Sequence, residues 1–99
     1  MSKLIHENQW IWIVVQDPGV NEHFLGQHDK DNDVSFIPAF LKKEDALQNI
    51  YRLTLDKSRK YEAQAILYEE LVSHCANNGF ALFILNETGQ VLEKIKPKD

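Results

Sequence analysis

The sequence predicts a single α+β domain: a mixed or antiparallel sheet of about five strands with two helices, in the order βββααββ. Three observations lead there. A β-branched and aromatic run, "WIWIVVQ", stops at Asp17-Pro18-Gly19. Helically spaced apolar residues follow Lys43-Glu44-Asp45 and recur after Tyr61. A second apolar run, "FALFIL", ends in the turn sequence Asn86-Glu87-Thr88-Gly89.

Taken in order, residues 10–16 form the first strand. Trp10, Trp12 and Val14 point to one side and Ile11, Ile13 and Val15 to the other. Both faces are apolar, which predicts an interior strand. Residues 23–27 make a second, less apolar strand, and an acidic turn then leads into a third at 34–41. Pro38 lies inside that third strand and cannot donate to a ladder, so the strand is expected at an edge or ending near Pro38.

Glu44 and Asp45 stand where a helix favours acidic groups, and Ala46, Leu47, Ile50 and Leu53 or Thr54 continue at helical spacing, predicting a helix over 43–56. A charged break over 56–60 separates it from a second helix at 61–77. There Ala63, Ile66, Leu67, Leu71, His74 and Cys75 form one stripe, widened by Ala65, Tyr68 and Val72. Asn77-Asn78-Gly79 is the stop. Residues 80–85 and 90–95 then read as a hairpin.

The succession of Ile37-Pro38-Ala39-Phe40, the acidic Glu44-Asp45-Ala46 start, a helix reaching Leu71 and Gly79-Phe80-Ala81-Leu82-Phe83-Ile84-Leu85-Asn86 resembles the N-terminal domain of the SseB family, named for enhanced serine sensitivity. The resemblance spans residues 10–95 in short motifs. It departs at Leu41-Lys42, where the family offers a Ser or Thr cap, and at Glu87, where the family has Pro. It implies a small cytoplasmic bacterial α+β domain without established catalytic residues.

At 99 residues the chain is one domain, 1–99, with its ordered core expected over 10–95. Fifteen Asp and Glu against eleven Lys and Arg give a formal charge of −4, which repels phosphate backbones and argues against nucleic acid as a partner. The longest apolar runs, residues 10–15 and 80–85, are far below the roughly 20 residues a membrane span needs. No signal-peptide core opens the sequence, and the single cysteine precludes an internal disulfide and suits a reducing compartment. Cytoplasmic residence is the expectation, without cofactor or membrane contact.

"GQHDKDNDV", residues 26–34, imitates a calcium loop. With Asp29, Asp31 and Asp33 as positions one, three and five, the bend requires Gly at six and the ion a Glu at twelve, but Val34 and Phe40 stand there. A solvated turn is expected. His23 and His28, five apart, fall on opposite faces of a continuous strand. Adjacent His74 and Cys75 diverge by about 100° on a helix, so Cys75 is read as a core residue rather than a nucleophile. Glu69-Glu70 reads as a solvated helix face.

The aromatics remain. If both helices pack on one face of the sheet, the other keeps Trp10, Trp12, Phe36 and Phe40 as an aromatic contact surface. The sequence therefore predicts a non-enzymatic protein-interaction or self-associating module, its partner a protein or a second copy. The alternative is a metal-dependent enzyme or small-molecule binder using His23, His28 and residues 29–33.

Overall fold

The computed structural model describes residues 5–6, 8–19, 22–52 and 60–96. Its elements are β1 (Trp10–Gln16), β2 (His23–Phe24), β3 (Gln27–Asp29), β4 (Val34–Phe40), α1 (Lys43–Arg52), β5 (Tyr61–Leu67), α2 (Tyr68–Asn78), β6 (Ala81–Leu85) and β7 (Val91–Ile95). The fold is α+β, with two helices and a seven-stranded mixed sheet among the described residues. The expected helix beyond Arg52 lies outside the described residues.

The chief correction is β5. Residues 61–67, expected as the start of the second helix, pair antiparallel with all of β1, from Trp10 opposite Leu67 to Gln16 opposite Tyr61. An interior strand needs partners for its main-chain groups on both sides, and β5 supplies one side of β1. Helix α2 begins only at Tyr68, after Leu67 in extended conformation, and ends at Gly79, whose φ of 74° is the left-handed cap.

Among the described residues, β5 and β7 are the outer strands of the sheet. On its other side β1 pairs with β2 through Val15 and Gln16 and with β4 through Trp12 and Ile13. β4 in turn pairs with β3 through Val34 to Phe36, and runs parallel to β6. Residues 23–29 thus form one extended segment that changes partner from β1 to β4 around Gly26.

That change of partner accommodates Pro38. β4 is interior rather than at an edge, and it ends two residues beyond the proline, at Phe40. Its register opposes β3 up to Phe36 and β1 from Ala39, leaving Ile37 and Pro38 in the gap. The hydrogen-bond phase set by Asp17 N–H to the Lys60 carbonyl and Leu25 N–H to the Val14 carbonyl directs the even residues of β4, Pro38 included, toward that gap. The missing N–H costs no ladder bond.

The two helices lie on opposite faces, not one. On one face Tyr68, Leu71 and Cys75 of α2 pack with Ile11, Ile13, Val15, Ile37, Ala39, Leu82 and Ile84. On the other, Ala46, Leu47 and Ile50 of α1 pack with Val14, Phe40, Ala63, Phe83 and Leu85. Topology dictates this. The chain crosses from β4 past β1 to β5 by way of α1, then back from β5 to β6 by way of α2. Both crossovers join parallel strands in opposite directions across the sheet, so a common hand requires opposite faces.

Candidate interaction surface at the β1–β5 corner

Trp10 and Trp12 share the α1 face of β1, with Leu67 opposite Trp10 and Ala65 opposite Trp12 on β5. Trp10 is 59% exposed, Ala65 is exposed, and Trp12 and Leu67 are half-buried. The reason lies in where α1 starts. Its first residue, Lys43, holds its ammonium 5.6 Å from the Trp12 ring centroid, and its later residues Asn49 and Arg52 line a cleft with Val14, Leu25 and Pro38. The helix therefore covers the sheet from the level of Trp12 toward Val14 and leaves Trp10 outside.

The four aromatic residues predicted to share a surface lie on one face of the sheet but do not form one exposed patch. Phe40 is 1% exposed, because α1 lies over it. Phe36 stacks on Phe83 with centroids 4.1 Å apart and planes 15° from parallel, and Lys94 caps Phe83 at 5.1 Å. With Trp12 opposite Phe40, Phe36 and Trp10 lie on either side of that pair, about 20 Å apart at the usual rise per residue. Only Trp10 and Trp12 stay in one exposed corner, and the partners added to them, Leu67 and Ala65, are residues the sequence placed on a helix stripe. The alternation of Tyr61, Ala63, Ala65 and Leu67 was the available signal.

The alternative site takes a different form. His23 sits opposite Gln16 and His28 opposite Ser35, on opposite faces of the sheet. His28 contacts Ser35 Oγ at 3.2 Å through Nδ1 and Asp33 Oδ1 at 3.1 Å through Nε2. The Asp29 carboxylate turns inward on its own loop. It accepts from the Asp31 and Asn32 main-chain N–H groups, at 3.1 and 3.4 Å, and from Asn32 Nδ2 at 2.9 Å. The Asn32 side-chain bond leads in lowering its pKa below 3.8, helped by the two main-chain bonds. These are the bonds of an Asx turn, and Asp33 takes the left-handed conformation at φ 51°. Among the described residues, no three His, Cys, Asp or Glu side chains are grouped to hold a metal ion.

Cys75 is fully buried on the α2 face, and burial raises its thiol from 9.0 to about 11. His74 instead packs edge-on against Phe24, centroids 4.6 Å apart. Among the described residues no helix is long and apolar enough to cross a membrane. No family model, curated protein or solved structure matches the chain.

Proposed function

We propose that this protein is a cytoplasmic interaction module that docks to protein through the β1–β5 corner, without a catalytic role. The observation that carries the reading is the exposure of Trp10 beside half-buried Trp12 and Leu67. A large, rigid aromatic left in water beside half-buried apolar residues is the kind of residue that centres protein contacts. The resemblance to the SseB family agrees in kind, since that resemblance carries no catalytic residues. The negative net charge favours a protein partner over a nucleic acid.

The test is Trp10→Ala, followed by sedimentation and by urea unfolding at low concentration. The reading expects unfolding close to wild type and association weakened by about tenfold or more, the scale of an interface aromatic. A loss of about 3–5 kcal/mol of stability, the scale for a buried aromatic, would instead make Trp10 a core residue. Association unchanged by the substitution would also defeat the reading.

A further inference from the structure

We infer that the occupant of this corner is a second copy of the chain, joined through antiparallel pairing of the two β5 strands about a twofold axis at Gln64. The inference rests on the proposed contact role of the corner and specifies its partner and register. Among the described residues β5 pairs with β1 alone, so none of them pairs with the outward main-chain groups of its far edge, those of Tyr61, Ala63, Ala65 and Leu67. Such an edge is a template for another strand unless it is protected.

The two sheet edges differ in protection. β7 carries Glu93 and Lys94 and has a register shift at Ile84/Leu85, devices that discourage pairing. β5, "YEAQAIL", has one charged residue, Glu62, and runs beside β1 without a shift. Its even residues point their main-chain groups at β1, as the flanking bonds Asp17 N–H to Lys60 O and Tyr68 N–H to Gln9 O establish. Tyr61, Ala63, Ala65 and Leu67 therefore point theirs outward.

Only registers that set odd residues opposite odd residues can bond. The one centred on Gln64 pairs every outward residue: Tyr61 with the second copy's Leu67, and Ala63 with its Ala65. Centring on Ala63 or Ala65 leaves an outward residue unmatched at a strand end. In the Gln64 register Glu62 meets Ile66, so no like charges oppose. Side chains also match in size along the face shared with Trp10. A row runs Trp10, Leu67, then the second copy's Tyr61, and beside it a row of Trp12, Ala65, then the second copy's Ala63. The exposed Trp10 and the half-buried Leu67 thereby gain an aromatic neighbour from across the axis.

The experiment uses the full chain. Sedimentation equilibrium of wild type should give a dimer. Ala65→Pro removes an outward N–H at an exposed position and leaves the β1 ladder intact; it should sediment as a monomer and unfold near the wild-type urea midpoint at low concentration. Gln64→Cys should form an intermolecular disulfide rapidly under mild oxidation, because the axis sets the two residues directly opposite within disulfide reach. Glu62→Cys, opposite Ile66, should cross-link far more slowly. A monomeric wild type at all concentrations overturns the inference. So does a dimer that survives Ala65→Pro, or faster linkage through Glu62→Cys than Gln64→Cys. A dimer that survives Ala65→Pro but is weakened by Trp10→Ala defeats the edge pairing alone and leaves the contact role of the corner standing.

Discussion

The Asn49 side chain ties α1 to the β6–β7 turn: its Nδ2 donates to the Asn86 carbonyl at 3.0 Å, while also donating to the Asp45 carbonyl at 2.9 Å. Asn49 is the buried polar residue of the α1 layer, 4% exposed. It fixes the helix against the turn from which β7 departs.

Asn49→Ala should therefore lower stability by about 0.5–1.5 kcal/mol, since the bridge from α1 to the turn is lost while the Asn86 carbonyl keeps the Gly89 N–H. Gly89, at φ 83°, would place a Cβ 3.1 Å from Asn49 Oδ1, so Gly89→Ala is strained by conformation and by contact. In a double-mutant cycle the two costs should be less than additive, because Asn49→Ala removes the atom the new methyl meets. Strict additivity in urea unfolding would deny the contact.

Cys75 yields a prediction at alkaline pH. Its thiol ionises near 9 when unfolded and near 11 when folded, so over that interval the native state holds a proton the unfolded chain has lost. Stability should fall from about pH 9 to about pH 11, and Cys75→Ala should lack this component of the decline. Alkylation of the native protein should be slow, limited by opening of the α2 face. Rapid labelling of folded protein would contradict the burial.

The acidic turn should respond to acid and not to calcium. Asp29 accepts its bonds as a carboxylate, and its folded pKa is lowered. Its contribution is present above the unfolded pKa and lost as pH falls through the folded one, a component that Asp29→Ala should abolish. Millimolar calcium should leave the thermal midpoint unchanged, because Val34 and Phe40 hold the places of the required Gly and Glu. An upward shift removed by Asp31→Ala would show an ion site.

Phe40 and Trp12, paired across β1 and β4, should separate in a stability series. Phe40→Ala empties a fully buried site and should cost about 3–5 kcal/mol. Trp12→Ala, half-buried under Lys43, should cost about half as much. Equal losses would mean that Trp12 is as enclosed as Phe40.

The sequence was legible where periodicity and turn chemistry agreed. β1 has alternating apolar faces ended by Asp-Pro-Gly, and β6 is apolar throughout, so both read plainly. "YEAQAIL" did not, because Ala, Gln and Glu favour helix locally and the ladder to β1 that overrides them is a nonlocal term. The aromatic surface that includes Phe40 depended on both helices packing on one face; with β5 in the sheet the two crossovers take opposite faces, and α1 covers Phe40. Pro38 misled for a related reason: the gap between β3 and β1 that shelters it is visible only in the register. The side of β1 that Trp10 shares with Trp12 was legible in the sequence, because the alternation with Ile11 needs no tertiary information.

The parallel pairing of β4 with β6 bears on how the chain folds as it is made. β6, buried at all five positions, is drawn from residues 81–85 of 99, yet it lies between β4 and β7. A ribosome extruding this chain releases β1, β4 and β5 well before the strand that covers the flank of β4. Until then Ile37, Ala39 and Phe40 border an open sheet edge, a state in which chaperones or misassembly can compete. Nascent chains halted before residue 80 should thus be protease-sensitive, with protection arising in one step once β6 has emerged.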